Sequence, residues 1–401
     1  MAPAPDSTVS SAPTGASAAS IAPGPAKPSP AASLASARRV VVKIGSALLV
    51  DEDAHQIRQG WLDVLADDIS VLHKRGMAVV VVSSGAIAAG REHLGLAGRP
   101  LRLEEKQAAA ATGQLRLAHA YQEALARHGI TVAQVLLTTD DTEDRRRHLN
   151  ARSTLDTLLG LGAVPVINEN DTVATTEIRF GDNDRLAARV AQMISADTLV
   201  LLSDIDGLYT ADPKKDPTAQ FVDWVPEITT DILNMAGAAL PGYSSGGMVT
   251  KLVAAQIATG AGCRMAIAKG KVPGALGRLL MPGARATWFA ADVEPSAARK
   301  RWIGGMIKTT GTITVDAGAV RALHSGKSLL PAGVRAVTGD FQRGDPVSIL
   351  GPDRTPVAIG LSAYAAEDAS KIIGLHSADL APVLGYAGRA EMIHRDNLTM
   401  L

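Results

Sequence analysis

Six short runs of β-branched and other apolar residues recur in the first two thirds of the chain: RVVVKI (39–44), AVVVVS (78–83), TVAQVLL (131–137), AVPVIN (163–168), DTLVLLS (197–203) and CRMAIA (263–268). Stretches of helical spacing separate them. In GWLDVLADDISVLHKRG, Leu62, Leu65, Ile69 and Leu72 repeat at three- and four-residue intervals and Gly76 supplies the stop. Strands that alternate with helices are joined by crossovers, so the expected class is α/β, a mostly parallel open sheet flanked by helices. Ligands of such sheets bind beyond the carboxyl ends of the strands, which makes the residues just after each run the first candidates for function.

After about residue 285 the texture changes to short alternating strands punctuated by Gly and Pro, as in GTITVDAGAV and PVAIGLSAY. A compact β-rich module over 285–401 is expected there. Residues 1–37 are Ala-, Ser- and Pro-rich, with Asp6 and Lys27 as their charges, and read as a disordered tail outside the fold. The α/β domain then occupies 38–284, and a chain ending near Pro282 is expected to fold and keep its chemistry. Lys+Arg and Asp+Glu both total 40, so no global basic field points to nucleic acid as the main partner. Cys263 is the single cysteine, which excludes an intrachain disulfide and a multi-cysteine zinc site. With no signal-peptide core and no apolar run of ~20 residues, a cytoplasmic location and no membrane partner are expected.

Lys43 closes the first strand, where an ammonium is costly to bury unless something negative meets it. The loop SSGAIAAG (83–90) follows the second strand and opens a helix, offering backbone N–H groups and the Ser84 hydroxyl to an anion; a plain Ser N-cap is the alternative. INENDTVATTEIRFGDNDRLAA crowds Asn168, Glu169, Asn170, Asp171, Glu177, Asp182, Asn183 and Asp184 together. Either Asp171 takes a substrate ammonium and Asn183 another polar group, or the segment is a solvated acidic hairpin. LLSDIDGLYTADP leaves its strand through Ser203 and Asp204, and SSGGMVTKLVAA starts a helix with Lys251 in its first turn, the end where a dipole favours anions. The spacing fits neither the P-loop nor the dinucleotide fingerprint. Two lysines and the Gly45, Gly85 and Gly246–Gly247 loops together suit phosphoryl transfer, in which fixed cations and N–H groups meet the developing charge.

VVKIGS, SSGAIAAGREHLG, LLTTDD, RRRHLNARSTL, PVINENDTVATTEIRFGDND, SDIDGLYTADP and SSGGMVTKLVAA resemble the glutamate 5-kinases of the amino acid kinase family, and GTITVDAGAVRALHSGKSLLPAGVRAVTGDFQRGD resembles a PUA domain. The resemblance implies ATP-dependent phosphorylation of the L-glutamate side-chain carboxylate, the first step of proline synthesis, with proline as inhibitor and a dimer or tetramer as the assembly. It implies that Lys43 and Lys251 stabilise the transferring phosphoryl and that Asp204 orients them. Ser84, Asp171 and Asn183 would bind glutamate. Lys43, Ser203, Asp204, Ser245, Gly246, Gly247, Met248, Val249, Thr250 and Lys251 would line the nucleotide site. Magnesium would arrive with ATP, and the sequence names no protein ligand for it. Sibling kinases of aspartate, acetylglutamate, carbamate or UMP would share the sheet and the lysines but would not be expected to join INENDTV and FGDND to this C-terminal module. An RNA-binding main function, suggested by the PUA-like segment and Arg299-Lys300-Arg301, would be expected to show a larger basic footprint.

Overall fold

The computed structural model describes residues 34–51, 56–173, 183–237, 247–281, 283–291, 293–304 and 308–401. The six expected strands all form: β1 (Arg39–Ile44), β2 (Ala78–Val82), β3 (Val132–Leu137), β4 (Val164–Glu169), β5 (Thr198–Ser203) and, after the short β6 (Leu208–Tyr209), β7 (Phe221–Val222) and β8 (Trp224–Val225), β9 (Arg264–Lys269). With β10 (Ala286–Phe289), they build an eight-stranded sheet in the order β3-β4-β2-β1-β5-β9-β10-β8. The run from β3 to β9 is parallel throughout, and β10 enters antiparallel to β9.

Successive side chains of a strand point to opposite faces. Val40, Val42 and Ile44 of β1 therefore join the core layer that holds Leu62, Leu65, Ile69 and Leu72 of helix Gln59–Lys74, while Val41 joins the opposite layer. That opposite layer contains Ala187, Ala188 and Ala191 of helix Asn183–Met193 and Leu252 and Ala255 of helix Met248–Gly260. Lys43 has the parity of Val41. Its side chain is thereby directed toward the face those two helices cover.

Two expected boundaries are corrected. Leu34 is completely buried in the first core layer, so the fold begins before residue 38 and the expected tail is too long by its last few residues. β10 lies beyond the expected limit of the α/β domain at residue 284, yet it is hydrogen-bonded within the large sheet. Its Trp288 belongs to one core layer and its Phe289 to the other, because a four-residue strand still alternates faces. β10 also fixes the loop that follows β5. The Thr287 hydroxyl accepts from the Leu208 N–H at 2.7 Å and donates to the Val222 carbonyl at 2.5 Å. A Cβ at Gly207 would stand 2.3 Å from that hydroxyl, so the Asp206-Gly207 turn needs a residue without one. Arg285 donates to Asp206 Oδ2 at 2.5 Å and stacks 4.0 Å above the Phe221 ring.

The remaining strands, β11 (Gly311–Val315), β12 (Val334–Gly339), β13 (Pro346–Leu350), β14 (Pro356–Leu361) and β15 (Leu398–Met400), form a second sheet in the order β12-β11-β13-β14-β15. It has its own core, centred on Ile313, Val315, Phe341, Val347 and Ile349. This is the β-rich module the sequence suggests.

A chain ending near Pro282 would lack β10, which argues against its folding. Truncating one large buried aromatic costs about 3–5 kcal/mol, and that cut removes two together with the Thr287 and Arg285 anchors. Such a chain should show no cooperative thermal unfolding by circular dichroism, whereas a chain starting at Leu34 should melt with the parent. A melting transition near the parent's for the 282 truncation would mean that the large sheet closes without β10.

Candidate active site

Four parallel strands deliver residues to one edge of the sheet: Lys43 near the end of β1, Ser83 and Ser84 just after β2, Asn168 near the end of β4, and Ser203 at the end of β5. At the centre of this edge stands Asp184, in the first turn of helix Asn183–Met193 and 1% exposed. Its Oδ1 lies 2.8 Å from the Lys43 ammonium and its Oδ2 lies 3.1 Å from that of Lys251. The Thr250 hydroxyl oxygen lies 3.1 Å from the same Oδ2. Burial alone would raise the Asp184 carboxyl, but the two ammonium groups outweigh it and hold the group below the usual carboxylate range. All three charges are buried, with Lys43 at 7% and Lys251 at 4% exposure.

This arrangement answers why a lysine can end a buried strand and why another can occupy the wrong end of a helix dipole. Both are compensated by one carboxylate. It also corrects the expected role of Asp204. Asp204 is exposed and accepts a hydrogen bond from the Ser203 hydroxyl at 3.0 Å, while the carboxylate that orients both lysines is Asp184.

Beside the triad, Asn183 ties β2 to β4. Its Nδ2 donates to Ser84 Oγ at 2.8 Å and to the Ser83 carbonyl at 3.0 Å, with Asn168 Oδ1 at 3.3 Å. Among the described residues, Asn183 Oδ1 and Asn168 Nδ2 are buried without a hydrogen-bond partner, leaving one acceptor and one donor at the same spot. Asp171, two residues past β4, is 8% exposed, and burial pushes its carboxyl up to about 6.

The loop at Ser83–Ser84 is held from behind. Gly85 takes φ +92°, a left-handed conformation that favours glycine, and caps the short helix Ala86–Arg91. That helix crosses helix Leu103–Ala126 so closely that a Cβ on Gly90 would lie 1.9 Å from the Ala109 carbonyl oxygen, and one on Gly113 1.8 Å from that of Ala86. From the long helix, buried Tyr121 donates to Ser83 Oγ at 3.2 Å and Gln114 donates to the Glu169 carbonyl at 3.2 Å. The small residues of SSGAIAAG thus serve packing, and the packing positions Ser84.

The structure brings Lys43, Ser84, Asp171, Asn183, Thr250 and Lys251 to the same end of the sheet, with Ser203 and Asp204 at the neighbouring strand end. Gly247 caps helix Met248–Gly260 in extended conformation, and its carbonyl accepts from Thr250 Oγ1 at 2.8 Å. Met248 and Val249 fill the first turn of that helix. Ser245, Gly246, Glu177 and Asp182 lie outside the described residues. Asp184 was one acid among several in the sequence and carried no role there, although a signal was present. Asp184, Ala187, Ala188 and Ala191 follow helical spacing, which sets a carboxylate on an otherwise apolar face.

Because its folded-state value is raised from 3.8 to about 6, Asp171 favours folding in its protonated form, and that contribution fades as pH rises through about 6. At pH 7 the cost of holding the carboxylate ionised is about 3 kcal/mol. Asp171→Asn should therefore raise the urea midpoint at pH 7 and have little effect below about pH 4. Equal midpoints for parent and variant at pH 7 would contradict the burial of this carboxylate.

Comparison with known proteins agrees with this geometry. Residues 38–269 match the model of the amino acid kinase family and residues 311–384 that of the PUA domain. Proteins named glutamate 5-kinase are similar over most of the chain. That of Paramagnetospirillum magneticum is 62% identical, across 92% of this chain and 99% of its own, and that of Rhodospirillum rubrum is 59% identical, across 90% and 96%. The UMP kinase of Ureaplasma parvum, a solved structure, is 18% identical with a TM-score of 0.44, across 63% of this chain and 98% of its own. Lysines bridged by one carboxylate at the carboxyl edge of a parallel sheet, within a sequence matched at this level, lead to one statement of kinship: the chain belongs to the amino acid kinase family and carries a PUA domain after its kinase domain.

Proposed function

We propose that this kinase transfers the γ-phosphoryl group of ATP to the side-chain carboxylate of L-glutamate, giving L-glutamyl 5-phosphate and ADP. The observation that carries the reading is the Lys43–Asp184–Lys251 bridge, set beside the polar pocket of Ser84, Asn168, Asp171 and Asn183. The named activity of the relatives supports the choice of substrate.

A glutamate side chain, with a pKa near about 4.3, is ionised at neutral pH, so the nucleophile needs no general base. The barrier is the approach of one anion to another. Lys43 and Lys251 meet the equatorial oxygens of the phosphoryl group from two sides, where charge is spread in the transition state. Asp184 holds the two ammonium groups apart at fixed positions, so little reorganisation is needed when the phosphoryl arrives. Magnesium would come with ATP and would supply charge shielding to its phosphates. Ser203, Asp204 and the Gly247–Lys251 turn would line the nucleotide side.

The substrate's ammonium would pair with Asp171. Asn183 Oδ1 and Asn168 Nδ2 supply the acceptor and donor an amino acid backbone requires, and Ser84 adds a hydroxyl. A kinase of this kind would stand at the head of proline synthesis in the cytoplasm. Proline, which carries a secondary ammonium beside an α-carboxylate, would inhibit by competing for that pocket, and the enzyme would work as a homo-oligomer. Among the described residues, no helix is long and apolar enough to cross a membrane. We also place the domain division in the segment between β10 and β11, where the large sheet has ended and the second has not begun.

Trapping acyl phosphate with hydroxylamine in the presence of ATP tests the reaction against glutamate, aspartate, acetylglutamate, carbamate and UMP. Glutamate alone should yield hydroxamate. Lys43→Ala and Lys251→Ala should each lower kcat ~100-fold, the effect of losing one charge contact of about 3 kcal/mol at the transition state. Asp171→Asn should raise the glutamate KM and leave that of ATP unchanged, and in the parent the glutamate KM should climb as pH falls below about 6. Near-normal turnover in both lysine variants, or a change confined to ATP in Asp171→Asn, would overturn the assignment.

A further inference from the structure

A cavity of about 750 Å³ lies between the kinase domain and the PUA domain, away from the strand ends that carry the active site. Seven Lys and Arg side chains line it against four carboxylates, an excess of three cations in a chain whose overall formal charge is +0. Two of those carboxylates are already committed within the kinase domain. Asp156 pairs with Arg39 at 2.9 Å and Arg152 at 3.3 Å, and Asp197 accepts the backbone N–H groups of Arg38 and Arg39. Facing Arg152 from the other domain and the connecting helix are Arg299, Lys300, Arg343 and Arg389. Among the described residues, none of these four forms an ion pair with a carboxylate. Arg299 donates instead to the Asp396 carbonyl at 3.1 Å and to Asn397 Oδ1 at 2.7 Å, and Arg389 to the hydroxyl of Ser153.

Guanidinium groups gathered in excess of carboxylates repel, and at Arg152 and Arg299 burial increases the cost. Nearby groups register the field. Burial, then Arg152, pushes the Arg299 guanidinium down to about 9, and burial, reinforced by Arg299 and Arg152, pushes the His148 imidazole down to about 4. Arginine forks match phosphate oxygens bidentately, and the cavity has the volume of a small-molecule site.

We propose that this inter-domain cavity is a binding site for a small phosphorylated polyanion, clamped by Arg152 of the kinase domain and by Arg299, Arg343 and Arg389 from the PUA side. The site also has a route to the active site. Arg152 donates to the Met193 carbonyl at 2.6 Å and to Ser195 Oγ at 3.1 Å, capping the carboxyl end of the helix whose first two residues are Asn183 and Asp184. An anion that draws on Arg152 acts on one end of a rigid helix while the triad sits at the other. Occupation would thus couple the placement of the PUA domain to the kinase centre.

Isothermal titration of the full chain with inorganic pyrophosphate tests this, using Lys251→Ala as the background so that binding at the kinase centre is weakened. Pyrophosphate should bind this variant, and adding Arg299→Gln with Arg389→Gln should weaken that binding at least tenfold. Arg299 also holds Asn397, so Arg343→Gln serves as a second variant. It lacks any hydrogen bond or ion pair among the described residues, should keep the parent's melting temperature, and should weaken pyrophosphate several-fold. Citrate at equal charge should bind more weakly than pyrophosphate if phosphate is the recognised group. Unchanged affinity in the Arg343→Gln and Arg299→Gln/Arg389→Gln variants would overturn the proposal, as would loss of all pyrophosphate binding in Lys251→Ala. A single-stranded RNA that binds while pyrophosphate neither binds nor competes would overturn it in favour of a nucleic-acid surface.

Discussion

Two ammonium groups buried side by side repel each other and have lost most of their hydration, so a site built on Lys43 and Lys251 can exist only around a negative centre. Asp184 is that centre, and much of the kinase domain serves to put it there. β1 brings Lys43 to the sheet edge on the side chosen by strand parity. Helix Met248–Gly260 brings Lys251 in its first turn, and helix Asn183–Met193 packs against both with its acidic first turn toward them. The bridge is a positioning device more than a source of stability. Buried ion pairs are often no better for stability than apolar side chains of the same volume, but removing one member leaves the others uncompensated. A site that must present two cations to a transferring phosphoryl accepts that vulnerability in return for fixed charges.

Support for the site comes from unequal distances. The Ser83–Ser84 loop rests on Tyr121 and on a glycine-to-glycine helix crossing some residues downstream in sequence. The loop after β5 rests on Arg285 and Thr287, about 80 residues later, at the end of the sheet where the strand direction reverses. The loop that follows Ser203 and Asp204 consequently depends on a strand that looks, in sequence, like the start of the following module.

The parallel strands were legible because short continuous apolar runs separated by stretches of helical spacing leave few alternatives, and the edge at which they deliver side chains follows from that topology. Lys43, Lys251, Ser84 and Asn183 could be selected from their positions at strand ends and helix starts. For Asp184 the local sequence offers only its place on an alanine face, and its role is set by partners 67 and 141 residues away. β10 was missed because ATWF follows Gly and Pro punctuation and is too short to declare which sheet it joins. Leu34 was missed because one apolar residue at the end of an Ala-rich, Ser-rich tail carries no periodicity. In each case the missing information is a long-range contact.

The central claim is that Asp184 exists to hold two buried cations for phosphoryl transfer, and a pair of variants separates its structural and chemical roles. Urea unfolding and hydroxamate formation would be measured for Asp184→Leu and for the triple variant Lys43→Met/Asp184→Leu/Lys251→Met. The single change should destabilise the fold by about 3–5 kcal/mol, because two ammonium groups remain buried without compensation. The triple change, an apolar replacement of the whole bridge, should recover most of that stability. Neither protein should turn over glutamate at a rate approaching the parent's. A single variant as stable as the parent, or a triple variant with substantial kinase activity, would contradict the account.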